Sequence, residues 1–308
     1  MMKTAFLFPG QGSQFVGMGK EFYDSYSLAR EYFERADEAL KFNLSRLCFA
    51  GPEEELKLTQ NTQPALLTVS TIALKLLGVV PLVAAGHSLG EYSALVAAGS
   101  LSFEEAVVLV HKRGHYMQEA VPVGKGMMVA VIGLEYEKVT EIISQITIGV
   151  VEVANWNSRE QIVISGERQA VEEAVKRLNP PRAVTLPVSA PFHCSLMAPA
   201  EEKLAVDLDK TEFKDLEFPV ITNVAAELVT RGNKAREALK KQVTRPVLWY
   251  KSMEKLKEMG IQTVVEVGAS KVLSGLMRRI TRSWEQAPDV LQVGDPASLD
   301  KVREILSF

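Results

Sequence analysis

The chain has 308 residues, 47% of them hydrophobic and 24% charged, which excludes a disordered or low-complexity protein and supplies core for about two average domains. Its 35 basic and 38 acidic residues give a formal net charge of −3, so no global field draws it to nucleic acid or to a membrane, and only a local basic patch stays open. Two cysteines, Cys48 and Cys194, are too few for a disulfide framework or a structural zinc site and point to a reducing, cytoplasmic compartment.

The first expected strand is Thr4–Phe8, closed by Pro9-Gly10; its apolar run is too short for a signal peptide. Amphipathic helical sequence follows towards Leu40, and a second helix is expected over 63–77. Leu82–Ala85 reads as a short buried strand of a parallel sheet, and Lys75, Gly78 and Pro81 keep the apolar region 64–85 from being a membrane span. The strand feeds Gly86-His87-Ser88-Leu89-Gly90 and a small-residue helix, Tyr92–Ala98. Ser102 and Glu105 form a capping box for the next helix, which runs to about Ala120. Beyond Pro122-Val123-Gly124 the pattern becomes strand 127–133, helix 135–146, strand 149–154, strand 161–165, helix 167–178 and strand 182–188, a ferredoxin-like order. After Pro191 the α/β pattern resumes, with strands near 218–224 and 262–267 and helices between and after them. The expected class is α/β. Residues 1–122 and 190–308 form one large domain with a parallel sheet, and 123–189 are a ferredoxin-like insertion.

Gly86-His87-Ser88-Leu89-Gly90 fits G-x-S-x-G between a strand and a helix, the context a nucleophile elbow requires. Such a turn lifts the Ser88 hydroxyl above the sheet and sets the Leu89 N–H at a helix N-terminus, where it can face an oxyanion. The plainer alternative is a tight turn with an incidental serine. A serine nucleophile needs a base, and the chain has four histidines. His87 sits inside the turn, pointing away from Ser88. His111 and His115 are four apart on a helix, but Lys112 stands where a zinc protease carries glutamate and no third ligand is evident, so the pair reads as solvated. By elimination His193 is the best base. The interval between Ser88 and His193 is mostly the insertion, so an acid partner is doubtful and a backbone carbonyl could orient the imidazole instead.

On a helical wheel, Leu109, Val110, Met117 and Ala120 cluster on one face with Arg113 at its centre. A guanidinium there is costly unless paired. Either a distant acid of the fold pairs it, or, since this helix follows the serine helix, a substrate carboxylate held by both nitrogens does. Gln11 lies in a Gly-rich loop after the first strand, at the carboxyl edge where α/β sites form. The loop matches neither the P-loop nor the dinucleotide fingerprint; it is either a second oxyanion donor or a plain turn.

Taken with Gln63-Pro64-Ala65, Arg113-Gly114, Met117–Ala120, Asn155–Ser158 and Pro187-Val188-Ser189-Ala190-Pro191-Phe192-His193, the Gln11-Gly12-Ser13-Gln14 loop and the Gly86–Tyr92 stretch resemble the malonyl-CoA:acyl-carrier-protein transacylase family. Order and spacing match from near the N-terminus to about residue 280. The resemblance implies an α/β-hydrolase-like core with a ferredoxin-like insertion, Ser88 as nucleophile, His193 as base, Arg113 as anchor for the malonyl carboxylate, Gln11 and Leu89 as the oxyanion hole, and the main-chain carbonyl of Gln242 as the group that orients the histidine. Gln63, Met117, Asn155 and Phe192 are the expected pocket wall, and Phe192 resembles the malonyl-selective version found in polyketide acyltransferase domains. The chain departs from the family at Gly268-Ala269-Ser270-Lys271, where Gly-Pro-Gly-Lys is usual. The implied partners are malonyl-CoA and acyl carrier protein, with no cofactor, metal, nucleic acid or membrane, and the length favours fatty-acid synthesis over an embedded polyketide domain. Two other readings stand beside it: a serine thioesterase or esterase on the same elbow, and a non-catalytic module that only docks carrier proteins. Basic clusters at Arg231, Lys234, Arg236, Lys240 and Lys241, and at Arg278, Arg279 and Arg282, are either solvated helix faces or a docking surface for an acidic carrier.

Overall fold

The computed structural model describes residues 2–188 and 190–306, so Ser189 of the Pro187–His193 stretch lies outside it. The strands are β1 (Thr4–Phe8), β2 (Val83–Gly86), β3 (Gly126–Ile132), β4 (Val151–Ser158), β5 (Gln161–Glu167), β6 (Arg182–Thr185), β7 (Val220–Ile221), β8 (Leu228–Val229), β9 (Thr263–Val267) and β10 (Asp289–Val293). They make two sheets: a six-stranded one in the order β10-β9-β1-β2-β7-β8, and a four-stranded one in the order β4-β5-β3-β6.

The large sheet is parallel from β10 to β7, with β8 returning antiparallel to β7. Every residue of β1 and β2 is buried, as expected where helices cover both faces of a parallel sheet. In this register Phe8 lies opposite Gly86, so the loops after β1 and β2 leave the same edge side by side. That adjacency brings Gln11 and Ser88 to one crevice at the carboxyl ends of the strands.

The small sheet is antiparallel throughout and has the ferredoxin-like strand order. Alternate residues of β3 go to different cores. Val129 and Val131 pack with Val139 and Val171 beneath the two helices Tyr136–Ile143 and Arg168–Leu178. Met128 and Ala130 join the core of the large sheet instead. Burial on both faces explains why Gly126–Ile132 reads as one apolar run. Edge strand β4 is tied to the rest of the chain through Val247, whose N–H and C=O bond Ala154 and Trp156 at 2.9 Å each.

Several elements differ from expectation. The helix expected from residue 63 begins at Thr59, with Pro64 inside it. Proline has no N–H for the carbonyl four residues back. That carbonyl, on Gln60, is met by His111 Nδ1 at 2.8 Å. His111 is therefore half-buried and bonded rather than solvated, and its ring lies 5.5 Å from that of Phe42. The strand expected near 218–224 is only Val220–Ile221, because the chain turns back into the β7–β8 hairpin, and β6 stops at Thr185, short of 188. β10 completes the parallel sheet beyond β9. Ser102 caps the helix Phe103–Glu119 by accepting from the Glu105 N–H, as the capping box requires.

Candidate active site

Both glycines of the Gly86–Gly90 turn are there for close approach. A Cβ on Gly86 would lie 1.9 Å from the Gly90 carbonyl, and one on Gly90 would lie 2.0 Å from the Phe8 oxygen. The turn thus folds onto itself and onto β1. Ser88 at its apex has φ 51°, a left-handed conformation that serine adopts only when its surroundings impose it. Its backbone is held by Asn223, whose Oδ1 accepts the Ser88 N–H at 2.7 Å while its Nδ2 donates to the Gly86 oxygen at 2.7 Å.

His193 also has positive φ, at 59°. Its Nε2 is 2.7 Å from Ser88 Oγ, and its Nδ1 is 2.8 Å from the main-chain oxygen of Gln242. A carbonyl can only accept, so Nδ1 carries the proton and Nε2 presents a lone pair to the serine hydroxyl. Burial, with the nearby Arg113 charge, pushes His193 down to about 3, which keeps it neutral at physiological pH with its Nε2 lone pair unprotonated. Among the described residues no carboxylate touches this imidazole. His87 turns away from Ser88 to bond Asn157 Oδ1 at 2.8 Å, with its ring 5.4 Å from that of Trp249.

Arg113 is 1% exposed. It projects from the helix Phe103–Glu119, which crosses the helix Thr59–Leu77 so closely that a Cβ on Gly114 would lie 2.6 Å from the Thr59 oxygen. Its guanidinium donates to Gln63 Oε1 at 2.8 Å, Gln242 Oε1 at 2.9 Å and Ser88 Oγ at 3.1 Å. All three acceptors are neutral, and the buried Nε has no partner. The distant acid that would have paired Arg113 directly is absent among the described residues. A buried cation contacting only neutral oxygens is poised to receive an anion.

A cavity of about 210 Å³ opens onto these groups. Its wall includes Gln11, Gln63, Ser88, Leu89, Arg113, Met117, Asn155, Phe192 and His193, so every residue expected at the site lines it except Gln242, which stands behind Arg113 and His193. The Ser88 N–H is taken by Asn223, whereas the Leu89 N–H donates to no protein acceptor among the described residues and stays free for an oxyanion. Gln11 Nε2 rests 3.3 Å from Thr59 Oγ1. A neighbouring cavity of about 480 Å³ shares Gln11, His87, Asn155 and Leu186 with the first and adds Lys271 and Arg279. The divergent Gly268–Lys271 turn thus contributes to the rim. Among the described residues no group of acids, histidines and cysteines could hold a metal ion.

Sequence reasoning missed Asn223 and Glu91. Asn223 follows a buried strand at its carboxyl end, a position where a polar residue is a usable signal. Glu91, 1% exposed, accepts from Gln242 Nε2 at 2.6 Å and from the Asn223 N–H at 3.1 Å. Burial pushes it up to about 7. Its apolar neighbours on the helix Gly90–Ala97 hinted at burial, but its partners lie more than 130 residues away.

The chain is similar to known proteins in sequence and in fold. An acyl transferase domain model matches residues 5–298. The malonyl CoA-acyl carrier protein transacylase of Bacillus subtilis (strain 168) is 47% identical over 97% of this chain and 96% of its own length. This chain belongs to the malonyl-CoA:acyl-carrier-protein transacylase family. The corresponding transacylase of Coxiella burnetii superposes with a TM-score of 0.95 at 42% identity, covering 100% of this chain and 98% of that one. A malonyl-transacylase solved in complex with its type II PKS acyl-carrier protein superposes at 0.94 and 40% identity, covering 98% of this chain and 99% of that one. The chain is an acyltransferase built on an α/β-hydrolase-like core with a ferredoxin-like insertion. Among the described residues no helix is long and apolar enough to cross a membrane.

Proposed function

We propose that this acyltransferase moves the malonyl group of malonyl-CoA to the pantetheine thiol of acyl carrier protein, through an ester on Ser88. The observation that carries this reading is the buried Arg113 guanidinium, without a carboxylate contact and 3.1 Å from Ser88 Oγ. It marks where the free carboxylate of a dicarboxylic half-thioester sits, one short acyl chain away from the nucleophile.

His193 Nε2 takes the Ser88 proton as Oγ attacks the thioester carbonyl. The tetrahedral oxyanion is held by the Leu89 N–H and a donor from Gln11. Collapse expels CoA as a thiol, which receives the proton from His193. The carrier's thiol then gives its proton to the same imidazole and attacks the ester carbonyl, and Ser88 Oγ leaves with that proton returned from His193 Nε2. The Gln242 carbonyl fixes the tautomer throughout, a task an acid performs in other serine enzymes.

Gln63, Met117, Asn155 and Phe192 would shape the acyl pocket. Residues 1–122 with 190–308 form the catalytic unit in this reading, and 123–189 the insertion that roofs it through Met128 and Asn155. The reaction supplies fatty-acid elongation in the cytoplasm.

The test is the intact mass of the protein after brief mixing with malonyl-CoA. The wild type should gain one malonyl group and lose it to holo carrier protein, and Ser88→Ala should gain none. Release of free malonate without carrier-dependent discharge would instead make the protein a thioesterase.

A further inference from the structure

Arg113 meets no acid directly, yet a carboxylate lies one residue behind it. The Gln242 carboxamide stands between the two: Oε1 accepts from Arg113 at 2.9 Å, and Nε2 donates to Glu91 Oε2 at 2.6 Å. A carboxylate only accepts and a guanidinium only donates, so the pair fixes which way the amide faces. Nε2 also donates to the Ser88 oxygen at 2.9 Å, and the main-chain oxygen of Gln242 receives His193 Nδ1 at 2.8 Å. One amide residue, oriented by Glu91, therefore touches nucleophile, base and anchor.

We propose that Glu91 is a positioning residue acting through Gln242, and that it is the counter-charge of Arg113 which takes up a proton when an acyl carboxylate is anchored there. This rests on the malonyl reading of the site. Without substrate, the Arg113 cation and the Glu91 anion balance across the amide. A malonyl carboxylate on Arg113 adds a second negative charge to the same buried site, and two carboxylates sharing one buried cation do not both stay ionised. The acyl carboxylate contacts the guanidinium itself, whereas Glu91 is insulated from it by the amide, so Glu91 is the one that protonates.

The other groups nearby do not substitute for it. Arg113 faces Glu91 from the helix Phe103–Glu119, and Tyr92 follows Glu91 on the helix Gly90–Ala97. Burial raises the Tyr92 phenol, so it stays neutral. His193 and His87 are both pushed down by burial and stay neutral. β1 and β7 carry no ionisable side chain, and the helix Thr59–Leu77 carries only Lys75, in its last turn. A second anion raises Glu91 beyond its already elevated position. Uptake then occurs near and above neutral pH, and malonyl affinity falls as pH rises through that range.

The experiment is calorimetric titration of Ser88→Ala protein with malonyl-CoA and, separately, acetyl-CoA near neutral pH, in buffers of different ionisation enthalpy. The expected result is a buffer-dependent heat signalling net proton uptake with malonyl-CoA and none with acetyl-CoA. The Ser88→Ala, Glu91→Gln double variant should bind malonyl-CoA without uptake. In the Ser88-containing enzyme, Glu91→Gln, which is neutral at every pH as the protonated acid is, should keep KM for malonyl-CoA at or below the wild-type value and abolish its rise above neutral pH. Malonyl-CoA binding with no buffer dependence overturns the inference, as does uptake that persists in the double variant. Failure of malonyl-CoA to bind, with acetyl-CoA still binding, contradicts the carboxylate anchor itself. The acetyl/malonyl contrast needs no change at Glu91, so it stands even if that variant folds poorly.

Discussion

The exposed and buried sides of one helix meet positive charge in opposite ways. Along the exposed face of Gly232–Gln242, Lys240 pairs with Asp209 at 2.6 Å and with Glu237 at 2.9 Å, Arg236 lies within 4 Å of the same two acids, and Arg231, just before the helix, meets Asp215 at 2.5 Å. At its buried end Gln242 offers Arg113 a neutral oxygen only. An exposed cation with an acid partner loses little on removal, since water replaces the contact. A buried cation held by amides and a hydroxyl leaves its acceptors stranded when removed, and leaves an anionic ligand without its anchor. Charge that is visible from outside is thus the less informative kind here. Three of the five cations in the first basic cluster are already neutralised within the chain, which weakens that cluster as a docking surface.

The comparison can be broken at several points. Ser88→Ala should have the largest effect, lowering malonyl transfer by about 10⁴-fold or more, as measured by carrier-protein malonylation. A residual rate near wild type would move the nucleophile elsewhere. A pH profile sharpens the contrast between buried and exposed titratable groups. Since His193 is pushed down to about 3, burst acetylation of Ser88 by a neutral ester should not follow the ordinary imidazole titration, and its acid limb should lie well below pH 6.5. A limb centred on the usual histidine value would mean that His193 is solvated in the working enzyme. Smallest of all, reversing the charge of Arg231 and Lys240 together should change kcat/KM for carrier protein by no more than about twofold at physiological salt. A tenfold loss that shrinks with added salt would show these ion pairs open to receive the carrier.

Much of this was legible in the chain because local pattern and fold agree. β1 and β2 are continuous apolar runs, the Gly86–Gly90 turn has glycine where backbone meets backbone, and the insertion repeats its strand and helix periods cleanly. Arg113 stood out because a lone cation on an apolar stripe contradicts its own helix. β10 was not legible: Asp289–Val293 is a short strand at the sheet edge, with no continuous apolar run to mark it. The start of the helix at Thr59 was hidden by Pro64, which ordinarily marks a first turn. The Glu91–Gln242–Asn223 network was hidden for a different reason. Polar residues satisfied by partners more than 100 residues away leave no local period, and only the folded chain brings them together.

The central claim is that the Arg113 charge is kept for the substrate's carboxylate. The direct measurement is kcat/KM of Arg113→Ala with malonyl-CoA and with acetyl-CoA, beside thermal melting to establish that the variant is folded. Malonyl transfer should fall by about a hundredfold or more while acetyl transfer changes by no more than a few-fold. Equal losses for the two acyl groups in a folded variant would make Arg113 a structural cation and contradict the account.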